Sequence, residues 1–113
     1  MNLEQAKLQI KLNITKGTDI NTIESKNRII LSYHDDIYKV KIDSKNTTIK
    51  VSMEMLQKCY QPISDGKSYN RAYFKKLYPN KLKNHDYYVH VIGQIFVKAN
   101  IAIQIDKHNY SKM

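Results

Sequence analysis

The apolar residues among the first fourteen positions fit both a helix and an alternating strand. Leu3, Ala6 and Ile10 share one helical face, whereas the segment from Leu8 to Ile14 alternates between apolar and polar residues. The helix is favoured because Ala, Glu, Gln, Lys and Leu dominate this stretch. Gly17 is suited to ending it.

Two later stretches alternate between apolar and polar residues, as strands with one buried face do. Ile29, Leu31 and Tyr33 share the predicted buried side of the first strand. The buried side of the second strand is formed by Tyr38, Val40 and Ile42. Because the intervening His34-Asp35-Asp36 is turn-forming, the pattern predicts a β-hairpin.

The polar residues of the second strand are basic. Lys39 and Lys41 are expected on the solvent face of the hairpin. A polar loop from Asp43 to Thr47 then leads into a third short strand, Ile49 to Val51. A short extended stretch from Ile20 to Ile23 is predicted ahead of the hairpin.

From Ser52 onward the apolar period is helical. Ser52 suits the N-cap, and Glu54 places a negative charge in the first turn. The predicted buried face consists of Met55, Leu56, Cys59, Tyr60 and Ile63. A second helix is predicted from Tyr69 to Tyr78 and is stopped by Pro79.

The linker Asn80 to Asn84 is short and basic, and a third helix is predicted from Asp86 to Ala99. Alternation then predicts a strand with Ile101, Ile103 and Ile105 on one side. The last residues, Tyr110 to Met113, are expected to be loose.

These elements predict one α+β domain covering residues 1–113. Its first part, residues 1–51, holds a helix and a small antiparallel sheet. Its second part, residues 52–110, holds three helices and a C-terminal strand in an order typical of winged helix-turn-helix domains.

Charge makes this helical half the candidate for function. The chain has 19 Lys and Arg against 10 Asp and Glu, a net charge of +9, and such a field attracts polyanions. Residues 65–113 carry nine of the cations against three aspartates, which is two thirds of the excess. The alternative is that the lysines reflect the nucleotide composition of the genome and have no functional role.

The third helix has a predicted polar face apart from its core stripe. Gln can bond bidentately to adenine, and Lys can contact guanine or a phosphate oxygen. On this basis Gln94 and His90 are the first candidates for contacting bases. The full predicted nucleic-acid surface is Lys67, Ser68, Tyr69, Asn70, Arg71, Lys75, Lys76, Lys81, Lys83, Tyr87, His90, Gln94, Lys98 and Lys107.

Tyrosines interleave with these basic residues. Exposed rings could stack on unpaired bases. Single-stranded nucleic acid therefore remains an alternative to the preferred DNA duplex, and RNA remains an alternative to DNA. At helical spacing, however, such rings more often belong to the core. The rings concerned are Tyr69, Tyr73, Tyr78, Tyr87 and Tyr88.

The layout of the chain also resembles a known class of domains. The segments that carry the resemblance are Gly17 at a helix end, Ile23-Glu24-Ser25-Lys26-Asn27-Arg28-Ile29, Ile49-Lys50-Val51-Ser52 and Gly66-Lys67-Ser68-Tyr69-Asn70-Arg71. Together they are similar to small winged-helix-like DNA-reading domains attached to restriction enzymes and mobile-element proteins. The resemblance implies DNA binding. It carries no signature motif, so no functional residue is transferred.

Other function classes have weaker support. Cys59 is the single cysteine, which excludes an internal disulfide and a zinc site with two cysteines. The N-terminus lacks a signal-peptide pattern, and no apolar run is long enough to span a bilayer, so a cytoplasmic protein without membrane contact is expected. The prediction is a protein that is not an enzyme and uses no cofactor or metal.

Two alternatives remain. Asp35, Asp36 and the triplet Asp43-Ser44-Lys45 superficially resemble the carboxylates and lysine of a metal-dependent nuclease, although both groups lie in turn-like sequence. A protein-binding modulator, such as a phage or mobile-element factor, could instead dock its basic surface on an acidic host protein. A homodimer is a common arrangement for small modules of this kind.

Overall fold

The computed structural model describes residues 1–20, 28–42 and 47–113. Helix α1 spans Leu3–Asn13 and begins with a capping box, in which Asn2 and Gln5 bond reciprocally through side chain and backbone. The helix predicted here is confirmed, with Ala6 and Ile10 on its buried side. Gly17 lies four residues beyond its end, in a turn where its φ of 86° favours glycine.

The first sheet contains β1 (Arg28–His34), β2 (Ile37–Ile42) and β3 (Thr47–Ser52), antiparallel in the order β1-β2-β3. Asp35 and Asp36 join β1 to β2 with φ angles of 52° and 60°. Two consecutive residues of positive φ make the turn whose twist matches that of paired strands. The hairpin and the third strand are confirmed. The predicted stretch from Ile20 to Ile23 lies, apart from the buried Ile20, outside the described residues.

The predicted buried side of β1 was partly wrong. Ile30 pairs with Val40 and is fully buried, whereas Leu31 is 37% exposed. The register shifts between Ile30 and Ser32, so Leu31 is the extra residue of a β-bulge. A bulge reverses the alternation of faces along a strand, and the apolar pattern does not reveal it.

Helix α2 spans Met53–Ser64 and confirms the prediction for this segment. Ser52 is its N-cap, and the hydroxyl accepts a hydrogen bond of 3.1 Å from the backbone N–H of Met55. All five residues of the predicted stripe are buried: Met55, Leu56, Cys59, Tyr60 and Ile63.

The rest of the chain differs from the prediction in its details. Tyr69–Asn70 is strand β4, so the following helix, α3, covers only Arg71–Leu77. The predicted linker is helix α4, Pro79–Asn84, and it precedes α5, Tyr88–Lys98. Four helices rather than three therefore follow β3.

A second three-stranded sheet closes the fold. Strands β5 (Ile103–Gln104) and β6 (Asn109–Ser111) form a hairpin, and the antiparallel order is β4-β6-β5. The predicted C-terminal strand is confirmed, but Ile103 is 43% exposed, and β5 is an edge strand of this sheet. Tyr110 was expected to be loose and is fully buried.

The chain is thus a mixed α+β fold with five helices and two small antiparallel sheets among its described residues. One hydrophobic cluster includes Ile10 of α1, Val40 of β2, Leu56 of α2 and Ile92 of α5. None of the helices in residues 1–20, 28–42 and 47–113 has the length and apolarity needed to cross a membrane.

Candidate nucleic-acid interface

Helix α5 is the central element of the second half, and it is buried on more than one side. Phe96 packs edge-on against Tyr60 of α2 and Tyr69 of β4, with ring centroids 5.3 and 5.8 Å apart. On another side, the ring of Tyr110 from β6 lies against Gly93. Little of α5 is left to face solvent.

The prediction that Gln94 lies on an exposed face is wrong. Its side chain is 7% exposed, and its Nε2 donates to Oε1 of Gln104 at 2.7 Å and to the hydroxyl of Tyr110 at 3.3 Å. The β5–β6 hairpin covers this part of α5 and supplies both partners. Gln94 therefore joins the helix to the second sheet.

Two other polar residues of that predicted face, His90 and Tyr87, also differ from expectation, whereas Lys98 does not. His90 is half-buried, with Nδ1 2.9 Å from the Tyr110 hydroxyl. Tyr87 is half-buried as well, and its hydroxyl lies 2.7 Å from Nδ1 of His85. Lys98 is exposed at the end of α5. A base-reading face on α5 is not present in this arrangement.

Two residues predicted to contact phosphate are instead part of the fold. Tyr69 is fully buried, and its hydroxyl donates to the carbonyl oxygen of Val89 at 3.0 Å. Asn70 is the N-cap of α3, where its Oδ1 accepts from the backbone N–H of Tyr73, and its Nδ2 donates to Asn109 at 3.0 Å. Lys67 and Ser68, just before them, are exposed and half-buried.

Several predicted cations do come together, around α3 and α4. Tyr78 leaves the helical conformation, with φ −135° and ψ 61°, because the residue before a proline is disfavoured there. Pro79 then starts α4. The corner between α3 and α4 forms an open groove of about 590 Å³, and its lining includes Arg71, Lys75 and Lys83.

The lining of this groove suits an anion. Arg71 and Lys75 are four residues apart on α3 and so share a helical face. Asn80 and Asn84 add neutral amide groups, and among the described residues Asp86 is the one carboxylate that lines it.

A second groove lies on the other side of α4, between it, β3 and α2. Its volume is about 310 Å³, and Lys50, Lys58 and Lys81 line it. Glu54 also lines it and pairs with Lys58 at 3.0 Å. The hydrogen bond from Lys58 to Glu54 raises the pKa of that lysine.

Lys81 and Lys83 thus lie on opposite sides of one short helix. Six exposed cations from α2, α3, α4 and β3 line the two grooves, against Glu54 and Asp86. We call them the α4 surface: Lys50, Lys58, Arg71, Lys75, Lys81 and Lys83.

Tyr88 connects the parts of the α4 surface. The Nζ atom of Lys81 lies 5.6 Å from the centroid of its ring, within cation–π range. Burial raises the pKa of Tyr88, and a hydrogen bond from the backbone of Lys50 opposes that shift. One buried ring on α5 therefore contacts both α4 and β3.

The sequence missed Lys50 and Lys58. The alternation of Lys50 with Ile49 and Val51 was enough to predict that it is exposed. Its position beside Lys81 depends on how β3 packs against α4, which no local pattern contains.

The remaining predicted cations are exposed but line neither groove: Lys67, Lys76, Lys98 and Lys107. Lys107 lies in the loop between β5 and β6. That loop is held by Asp106, whose Oδ1 accepts from the backbone N–H groups of His108 at 2.7 Å and Asn109 at 2.9 Å. These hydrogen bonds lower the pKa of Asp106.

Most of the tyrosines considered for base stacking are not free platforms. Tyr69 and Tyr88 are buried, and Tyr73, Tyr78 and Tyr87 are half-buried. Tyr69 and Tyr88 are therefore better interpreted as core residues than as rings for base stacking.

The groups considered for catalysis are not gathered into a site in the described residues. Burial raises the pKa of Cys59 to about 12, which keeps the thiol protonated. Asp35 and Asp36 form the β1–β2 turn, while Asp43-Ser44-Lys45 lies outside the described residues. In residues 1–20, 28–42 and 47–113, no three His, Cys, Asp or Glu side chains are grouped so that they could hold a metal ion.

No protein-family model, curated protein or solved structure matches this chain.

Proposed function

We propose that this protein is a non-catalytic nucleic-acid-binding module that contacts the phosphates of duplex DNA through the α4 surface. The observation that carries the proposal is the convergence of cations from four elements around one short helix. Phosphate contacts dominate the affinity of proteins for DNA, and Lys and Arg supply them. The α4 surface offers six.

The element order supports a winged-helix-like arrangement of the second half. After β4 come α3, α4 and α5, and a two-stranded hairpin follows directly. This is the order typical of winged helix-turn-helix domains. Because α5 is buried, we place the DNA contact on α3 and α4, and the exposed Lys107 in the β5–β6 loop is a candidate for a further phosphate contact.

The chemistry of the α4 surface favours binding with little sequence preference. Its six cations can all serve as phosphate contacts, and Gln94, the first candidate from the sequence for reading adenine, is buried. The burial of Tyr69 and Tyr88 removes two of the rings that would stack on single strands. We therefore favour a duplex, and we expect the protein to act in the cytoplasm.

Salt dependence tests this proposal directly. Affinity for a 20-base-pair duplex, measured by fluorescence anisotropy at several salt concentrations, is expected to fall with a log–log slope of about −5 if all six cations meet phosphates. Replacing Arg71 and Lys83 together by Gln removes two contacts and should reduce the slope by roughly two.

Lys11→Gln is the matched control, because Lys11 is an exposed lysine of α1 that lines neither groove. Its slope should equal that of the unaltered protein. Absence of binding at low salt would refute the proposal and favour an acidic protein as partner. A loss of slope per removed charge that is the same in Lys11→Gln as in the double variant would show that net charge alone acts.

A further inference from the structure

The outer face of the first sheet is a second basic surface. Residues that alternate with the buried side of β2 and β3 point outward, and Lys39 and Lys50 are both exposed there. Lys41 is half-buried on the same face. The inner face is apolar, with Val40 and Ile49 buried.

The register places two of these lysines directly opposite each other. Lys39 of β2 is the cross-strand partner of Lys50 of β3. Cβ atoms of such partners are about 5 Å apart, and like charges at that spacing destabilise a sheet. Among the described residues, no carboxylate forms an ion pair with either lysine.

Protection of a sheet edge does not account for this pair. Lysines are common on edge strands, where they prevent pairing with another chain. Lys50 is on such an edge strand, but Lys39 is on β2, which is the central strand of the sheet. Lys39 therefore does not protect an edge. An anion bound between the two ammonium groups would relieve their repulsion.

The sheet face is continuous with the α4 surface, because Lys50 belongs to both. It pairs across the sheet with Lys39 and also lines a groove with Lys58 and Lys81. The longest dimension of the molecule is 35 Å, about one turn of B-DNA. A straight duplex lying along the molecule is therefore contacted over about ten base pairs at most.

We infer that Lys39 and Lys41 on the outer face of the first sheet extend the phosphate contact of the α4 surface along the same DNA duplex. This inference rests on the proposed function. It assigns a binding role to the N-terminal sheet, and it predicts a binding site of at most about ten base pairs.

The test uses Lys39→Gln combined with Lys41→Gln, two positions outside the α4 surface. The log–log salt slope for a 20-base-pair duplex should become less steep by roughly two relative to that of the unaltered protein. Lys39→Gln alone should reduce it by about one, and its melting temperature should be unchanged or higher, because the repulsion with Lys50 is removed. Lys11→Gln again serves as the control.

The outcomes separate this inference from the proposed function. If the Lys39 and Lys41 variants keep the full slope while Arg71→Gln with Lys83→Gln loses part of it, the α4 surface binds DNA and the sheet does not. If the unaltered protein binds no DNA, both proposals fail. The melting temperature of Lys39→Gln shows whether weaker binding has come from loss of the fold.

Discussion

The ring of Tyr110 lies directly against the backbone of Gly93, and a β carbon at position 93 would overlap the ring atoms. This contact lets β6 approach the centre of α5. Tyr110 is fully buried, so its ring has little freedom to move aside.

Gly93→Ala is therefore expected to destabilise the protein by about 1–3 kcal/mol through overpacking. In a helix without such a neighbour, the same change would stabilise by roughly 0.5–1 kcal/mol. The sign of the change in the free energy of unfolding, measured by urea denaturation, separates the two cases.

Combining Gly93→Ala with Tyr110→Ala provides the control. With the ring removed, alanine at position 93 should no longer destabilise, so the two effects should not add. Simple additivity would contradict the contact.

Gln94→Ala should lower stability and leave any DNA preference unchanged. The substitution removes the hydrogen bonds to Gln104 and Tyr110. The Tyr110 hydroxyl keeps its contact with His90, so Oε1 of Gln104 is the group that loses its partner. The expected loss is about 1–3 kcal/mol in the free energy of unfolding. Lys98→Ala, on the exposed end of the same helix, should change stability little. A changed sequence preference with full stability would instead support base reading by Gln94.

Acid should weaken the β5–β6 loop through Asp106. Its pKa is lowered from 3.8, first because the backbone N–H of His108 donates to the carboxylate. A group whose pKa is lower in the folded state stabilises the fold above its unfolded pKa, and this contribution disappears as pH falls through the folded value.

The difference in unfolding free energy between the unaltered protein and Asp106→Ala should therefore be constant at neutral pH and shrink below about pH 4. Urea denaturation between pH 7 and pH 2, from about three units above pH 4 to about two units below it, would measure this difference. A difference that persists unchanged to the lowest pH would mean that the carboxylate's charge has no role in the loop.

Local sequence patterns correctly predicted those elements whose buried face follows from their own spacing of apolar residues. The stripe of α2 has the spacing of one helical face, and Ser52 caps it as expected. Asp35 and Asp36 marked the hairpin correctly because the turn needs residues that tolerate positive φ. The bulge at Leu31 could not be predicted, since it depends on the pairing with β2.

The sequence predicted four of the cations of the candidate site but not where in the fold they come together. The charge excess of the second half pointed to Arg71, Lys75, Lys81 and Lys83, and these residues line the two grooves beside α4. The expectation that Gln94 and His90 of α5 face solvent was wrong because they were assigned to solvent by periodicity alone. A hairpin later in the chain covers them.

By itself, the amino-acid sequence determined the type of most elements, although not of β4 and α4, and the sign of the charge, because helical and strand periods and ionisable groups are local properties. Tertiary structure alone decided which face of α5 is covered and which lysines meet. Burial depends on what packs against a surface, and Tyr110, which packs on Gly93, is distant from it in the chain. Lys81, which lines a groove with Lys50, is likewise distant from that lysine.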